Sequence, residues 1–204
     1  MNLRDFLNKS KLTEGGNLSL GDPTKGEPVH QADELDLKVH QRSFIVPIID
    51  KLLHDINNAF NAAYKKPLWS TQLLQSKQFL GGSSLHFLNT KGINDQEFAR
   101  LKPKVGDIDT QVNKELEQDV HAFLTANKGK QIGDAVFLGF SAGNEQYNGL
   151  FQFQDPPIKL QIDFEFGRYS PETNTPDEWF RFSHSSAWED IQAGIKGVFH
   201  KYLY

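Results

Sequence analysis

The strictest pattern in this chain is an alternation of apolar and polar residues in its C-terminal third. Ile158, Leu160, Ile162, Phe164 and Phe166 occupy every second position of the segment IKLQIDFEF, and polar residues stand between them. Successive side chains of a β-strand point to opposite faces, so this segment predicts a strand with one apolar and one polar face. The fold must therefore contain a sheet that buries the apolar face of this strand.

A second strand is predicted by the segment KPKVGDIDTQV, residues 102–112, which carries two aspartates one residue apart. Asp107 and Asp109 would project from the same face, roughly 6 to 7 Å apart along the strand. Carboxylates this close repel each other and raise each other's pKa. A strand tolerates such a pair at an exposed edge, where charge deters aggregation, or where a divalent cation supplies positive charge.

The polar face of the alternating strand supplies a third carboxylate, from Asp163 or from Glu165. If the two strands are neighbours, that carboxylate converges with Asp107 and Asp109 above one face of the sheet. We favour Asp163, because the short aspartate side chain holds a hard cation more rigidly, and we keep Glu165 as the alternative. Three such carboxylates suit two divalent ions, Mg²⁺ or Mn²⁺, about 3.5–4 Å apart.

The remaining patterns predict an α/β (α+β) fold, in which a mixed β-sheet is flanked by helices. Apolar residues at helical spacing predict a long amphipathic helix over residues 43–63 that ends near Lys65–Pro67. A second helix should close at Gly129, and a last one should begin near Ser185–Ser186. The segments DAVFLGFSAG and QYNGLFQFQ predict a β-hairpin, and residues 167–182 predict a loop.

The segment FLGGSS adds a candidate phosphate site to the predicted carboxylates. Gly81, Gly82, Ser83 and Ser84 form a glycine turn that leads into a predicted helical turn. Backbone N–H groups in such a turn, free of bulky side chains, make a good cradle for phosphate. These four residues are therefore candidate nucleotide-binding residues.

Together, the segments FLGGSS, VGDIDTQV and LQIDFEF, spanning residues 79–166, resemble the signature of the DNA polymerase β-like nucleotidyltransferase superfamily. The resemblance implies a nucleotidyltransferase-like palm with the carboxylates on one sheet face. It also implies that Gly82 and Ser83 hold the β- and γ-phosphates of a nucleotide. Asp107 and Asp109 would bind both Mg²⁺ ions, and Asp163 would bind the catalytic ion and help to deprotonate the acceptor hydroxyl.

The chain also departs from that signature, since 23 residues separate Ser83 from Asp107, about twice the usual separation. The extra residues could form an inserted loop or helical turn at the cleft. A nucleotidyltransferase further needs a cation near the triphosphate, for which Lys196 and Arg168 are the candidates. His184, just before the last predicted helix, is a weaker candidate for a nucleotide-facing residue.

The resemblance divides the chain into a polar N-terminal arm, residues 1–40, a nucleotidyltransferase catalytic domain, residues 41–182, and a C-terminal helix, residues 183–204. That helix is compatible with the start of a further helical region. The expected reaction is metal-dependent transfer of an NMP from an NTP to a hydroxyl, with release of pyrophosphate. Relatives use an RNA 3′ end, a small molecule, a second nucleotide or a protein hydroxyl as the acceptor, and the sequence does not choose among them.

Composition excludes several other classes of protein. The chain has no cysteine, which rules out disulfides, thiolate catalysis and cysteine-based zinc sites. Its net charge of −4 argues against a broadly basic nucleic-acid surface, although a local patch could still bind a tRNA-sized acceptor. No apolar run approaches membrane-spanning length, and the N-terminus lacks a signal-peptide core, so we expect a cytoplasmic protein without a membrane partner.

Other interpretations of the two aspartates are weaker. An EF-hand loop beginning at Asp107 would need glycine and glutamate where the chain has Val112 and Gln118. The chain also differs from a haloacid dehalogenase-type phosphatase. It has no apolar run before Asp107, and Gln111 stands where that family's motif requires another residue. Two alternatives remain open: a DxD-type glycosyltransferase, and a non-catalytic module of the same fold that binds a nucleotide or a partner.

Overall fold

A computed structural model describes residues 18–89, 94–101 and 103–183 of the chain. Lys196, His184 and the predicted C-terminal helix lie outside the described residues. Within these ranges the protein is a mixed α/β structure, as predicted, with one five-stranded sheet, two small two-stranded sheets and helices.

The secondary structure follows the predicted order. The strands are β1 Ser19–Leu20, β2 His30–Gln31, β3 Leu35–Asp36, β4 Lys104–Val105, β5 Asp107–Asn113, β6 Gln131–Ile132, β7 Ala135–Gly143, β8 Gln146–Phe153 and β9 Lys159–Gly167. The α-helices are α1 Arg42–Tyr64, α2 Thr71–Ser76, α3 Ser84–Asn89, α4 Asp95–Leu101, α5 Glu117–Asn127 and α6 Glu178–Ser183. Short 3-10 helices cover Pro23–Lys25 and Lys114–Leu116.

The main sheet has the strand order β5-β9-β8-β7-β6, so the alternating strand β9 is central. Strand β9 pairs in parallel with β5 and antiparallel with β8. The predicted hairpin is confirmed, since β7 and β8 are joined by two residues, Asn144 and Glu145. The sheet is therefore mixed, and its one parallel contact joins the two strands that carry the aspartates.

The core lies between the long helix α1 and the apolar face of the sheet. The helical prediction for this region is confirmed, because α1 buries Ile45, Ile49, Ile56 and Phe60 completely. The helix ends where predicted, at Lys65, whose left-handed backbone (φ 58°) closes the last turn. Since this one face of α1 and the alternate residues of β9 belong to the same cluster of buried residues, the helix fixes which face of the sheet is apolar.

Part of the other face of the sheet is covered by residues 18–33, whereas Leu35 and Leu37 belong to the main core. Strands β1 and β2 pair with each other, and Leu18 and Ala32 pack on Leu150 of β8. At the start of β9, the Asp33 backbone N–H donates to the Lys159 carbonyl at 2.9 Å. On the polar face of β9, Gln161 and Asp163 are consequently buried while Lys159 and Glu165 are half-buried, which alternation alone does not predict.

Two further segments differ in detail from the sequence-based expectations. Residues 167–182 are not simply a loop, because α6 begins at Glu178 and the Asp177 carboxylate caps it by accepting the Phe180 N–H at 2.7 Å. The extra residues before β5 include the helix α4, which buries Phe98 against Phe87 with ring centroids 5.9 Å apart. In the described part of the chain, no helix combines the length and the apolar character that crossing a membrane requires.

Candidate metal centre

The parallel pairing of β5 with β9 brings three aspartates together. Asp109 lies directly opposite Asp163, and Asp107 lies opposite Gln161. Paired residues in a sheet project to the same face, and residues i and i+2 of a strand share that face. One carboxylate oxygen from each of Asp107, Asp109 and Asp163 lies within 4.8 Å of the others. Among the described residues, these three aspartates are the group of acidic, histidine or cysteine side chains that lie close enough together to hold a metal ion.

Asp163 is the most buried of the three aspartates, with 3% of its surface exposed. Burial raises its pKa to about 8, and the neighbouring charges of Asp107 and Asp109 add to the rise. Hydrogen bonds from Gln161 and Gln146 act in the opposite direction but do not cancel the effect of burial. Without a metal ion, Asp163 therefore holds a proton at neutral pH, and a bound divalent ion would favour its ionised form.

Two glutamines fix the orientation of the Asp163 carboxylate. Gln161 Nε2 donates to Oδ1 at 2.8 Å, and Gln146 Nε2 donates to Oδ2 at 3.0 Å. Both donors are neutral, so they orient the carboxylate without neutralising it as a lysine or arginine would. The alternation of β9 places Gln161 on the polar face, but the sequence assigns no role to either glutamine. The only signal available was a glutamine two residues before Asp163 on an alternating strand.

The glycine turn lies against the outer edge of β5. Leu80 forms an antiparallel bridge with Thr110, and the Gly81 N–H donates to the Asp109 carbonyl at 3.1 Å. Gly82 has a left-handed backbone with φ 51°, and a Cβ atom at this position would stand 2.3 Å from Asp109 Oδ2. Gly82 is therefore required both by its backbone and by the close approach of the carboxylate.

The serines of the turn have different surroundings. Ser84 is fully buried; its Oγ accepts the Asp109 N–H at 2.9 Å and lies 3.4 Å from Asp109 Oδ2. This hydroxyl supports Asp109 from inside the protein, which is a different position from the nucleotide-facing one considered from the sequence. Ser83, one residue earlier, is only half-buried, and its side chain remains partly accessible from solvent.

The other candidate residues are not part of the carboxylate group. Glu165, the alternative third ligand, lies opposite Gln111, one step further along β9. Arg168 follows the end of β9, five residues or roughly 16 Å beyond Asp163 along the strand direction. Its side chain is 84% exposed and lies 3.9 Å from the Asp177 carboxylate. The structure thus assembles Asp107, Asp109 and Asp163 with the turn of Gly81–Ser84, and leaves Arg168 at a distance.

The set of ligands fits a hard divalent cation. Carboxylate oxygens are the preferred ligands of Mg²⁺, Mn²⁺ and Ca²⁺, and the site offers no nitrogen or sulfur ligand from the described residues. The cluster lies beside a turn whose backbone approaches it closely because Gly82 has no side chain. Comparisons with known protein families and with curated proteins find no match for this chain.

The raised pKa of Asp163 predicts an unusual dependence of stability on pH. In the unfolded chain this carboxyl ionises near its ordinary value of 3.8, whereas in the metal-free folded protein it stays protonated up to about pH 8. The folded state then binds more protons in this window, so the free energy of unfolding should fall as pH rises from about 4 to about 8, by up to about 5 kcal/mol.

Urea unfolding in EDTA at pH 5 and pH 8 would measure this effect. Asp163→Asn cannot ionise, so its stability should exceed that of the wild type much more at pH 8 than at pH 5. Saturating Mg²⁺ should stabilise the wild type at pH 8 more than it stabilises the variant. Equal pH slopes for both proteins would show that Asp163 does not titrate in this way.

Proposed function

We propose that this protein is a metal-dependent nucleotidyltransferase, which transfers an NMP from an NTP to a hydroxyl acceptor and releases pyrophosphate. The observation that carries the proposal is the convergence of Asp107, Asp109 and Asp163 within 4.8 Å, beside the Gly82 turn. In this proposal, the mixed sheet and its helices form a palm of the DNA polymerase β type.

Each residue has a definite task in this proposal. Asp107 and Asp109 would hold both ions, and Asp163 would hold the one nearest the acceptor. The ions would stabilise charge on the α-phosphate and lower the pKa of the attacking hydroxyl. The turn at Gly81–Ser83 would bind the β- and γ-phosphates, with Gly82 allowing their approach and Ser83 offering a hydroxyl. Ser84 would keep Asp109 in place through its bond to the Asp109 N–H.

The chemistry is a single displacement at phosphorus. The acceptor oxygen forms a bond to the α-phosphate while the bond to the bridging oxygen breaks, and pyrophosphate leaves with that electron pair. The acceptor proton passes to Asp163, which lies on the side of the cluster away from the turn. Positioning and electrostatic stabilisation provide most of the rate in such a reaction.

Transfer of label would test the proposal directly. α-Labelled ATP, CTP, GTP and UTP are each incubated with Mg²⁺ or Mn²⁺, alone, with total RNA or with a protein lysate. Label should enter RNA, protein or a small product with the wild type but not with Asp109→Ala. The product would identify the base and the class of acceptor together.

The alternatives predict different results. If the protein is a non-catalytic module, its partner would bind regardless of metal and no label would move. If it is a DxD-type glycosyltransferase, a nucleotide sugar should raise the melting temperature more than an NTP does with the same metal ion. Absence of transfer, with NTP binding unchanged in Asp109→Ala, would contradict the proposed role of the aspartates.

A further inference from the structure

One buried glutamine links the N-terminal segment to the carboxylate cluster. Gln161 is 1% exposed and lies on β9 between Lys159 and Asp163, opposite Asp107. Its Oε1 accepts the Leu18 N–H at 3.0 Å, while its Nε2 donates to Asp163 Oδ1 at 2.8 Å. Both ends of the side-chain amide are therefore engaged, one by the N-terminal segment and the other by the cluster.

The Leu18 N–H determines which way this amide faces. A backbone N–H can only donate, so the atom that it meets must be the amide oxygen, and the amide nitrogen is then directed to Asp163. In the opposite orientation Oε1 would face Oδ1 of the ionised, metal-binding form of Asp163, and two acceptors would repel each other. Gln161 is almost completely shielded from solvent, so this mismatch would be unfavourable.

The position of Leu18 is itself held by the segment that follows it. The Leu18 carbonyl accepts the Ala32 N–H at 2.9 Å, and both side chains pack on Leu150. At the other end of this segment, the Asp33 carboxylate accepts the N–H of Lys159 in β9 at 2.7 Å. Residues 18–33 are thus docked on the sheet at two places: beside Leu150, which pairs with Gln161, and at Lys159, two residues before Gln161.

We propose that Gln161 is a positioning residue, through which docking of residues 18–33 prepares Asp163 to bind a divalent cation. This inference rests on the proposed function, since it concerns the same metal centre. It gives the N-terminal segment a role in the site. It also implies reciprocity: if docking favours metal binding, then metal binding favours docking by the same free energy.

Metal affinity is the first readout. We expect Gln161→Met, which keeps the length of the side chain but neither hydrogen bond, to weaken Mn²⁺ binding about tenfold, a typical effect of losing a partner that orients a ligand. Gln152→Met is the matched control, because Gln152 of β8 pairs with Lys159, which is four residues along β9 from Asp163. Its Mn²⁺ affinity should equal that of the wild type.

Hydrogen exchange of the Leu18 amide is the second readout. If Gln161 had a structural role alone, the rate of this exchange would not depend on Mg²⁺. Saturating Mg²⁺ should slow this exchange in the wild type but not in Gln161→Met. If Gln161→Met does not fold, Asp33→Ala replaces it, since Asp33 is exposed and touches β9 only at Lys159. That variant should lose Mn²⁺ affinity in the same direction, to a smaller extent.

The outcomes separate the two proposals. If the wild type binds Mn²⁺ and a folded Gln161→Met binds it within twofold as well, the positioning role is wrong while the metal centre stands. Leu18 exchange that does not respond to Mg²⁺ in the wild type would overturn the coupling in the same way. If the wild type binds no Mn²⁺ at all, the proposed function fails, and this inference fails with it.

Discussion

Asp109→Asn should abolish nucleotidyl transfer, with a loss of at least about a thousandfold in rate. Asp109 lies between the glycine turn and Asp163, and it is one of the two carboxylates that would bind both ions. The asparagine has the same shape and keeps the backbone bond to Ser84, but it lacks the charge that attracts a cation. Mn²⁺ binding, measured by calorimetry with and without NTP, should fall together with transfer.

Asp134→Asn is the control for this experiment, because its side chain is 69% exposed and pairs only with Lys51 on the surface. That variant should retain full activity and metal affinity. Since Asp109 adds to the repulsion within the cluster, Asp109→Asn should also be at least as stable as the wild type in EDTA. A variant that loses activity only because it unfolds would contradict this interpretation.

Gly82→Ala should be nearly as damaging as the loss of a carboxylate. The new Cβ would stand 2.3 Å from Asp109 Oδ2, so the carboxylate must move away from its partners. The left-handed backbone adds a penalty of about 1–2 kcal/mol. We expect transfer to fall at least a hundredfold, comparable to a misplacement of about 1 Å in other active sites.

Gly129→Ala separates the two causes. Gly129 also has a left-handed backbone, with φ 76°, but an added Cβ would meet no atom within 4 Å. Urea unfolding should therefore show a loss of about 1–2 kcal/mol in this variant, with metal affinity and transfer rate unchanged. Equal transfer rates for Gly82→Ala and Gly129→Ala would mean that the approach of Gly82 to Asp109 is not important for the reaction.

The sequence predicts the secondary-structure elements of this fold better than it predicts how they pack against one another. The helix α1 and the strands β7, β8 and β9 follow directly from apolar periodicity, because each buries one continuous face. The packing of residues 18–33 on the sheet could not be predicted, since it depends on a few small contacts such as those of Leu18 and Ala32 with Leu150. Polar composition in that segment conceals these contacts.

The candidate site shows the same limits. Two aspartates at i and i+2, a third acidic residue on another alternating strand, a glycine turn and the family resemblance predicted a site at Asp107, Asp109 and Asp163, with Glu165 as the alternative. The sequence could not give the register of β5 against β9, which decides that Asp163 rather than Glu165 stands opposite Asp109. Nor could it show that Ser84 points inward, because a buried serine and an exposed one look alike in a glycine turn.

The strand order also determines when the site can form during synthesis. Strand β9 is the last strand of the sheet along the chain, yet it lies between β5 and β8, which cannot reach their final neighbours without it. A nascent chain on the ribosome can form the β7–β8 hairpin early, but its aspartates stay apart until Gly167 has left the exit tunnel. In a chain released before this residue the three aspartates would not be assembled, because non-local pairing of β5 with β9 completes the centre last.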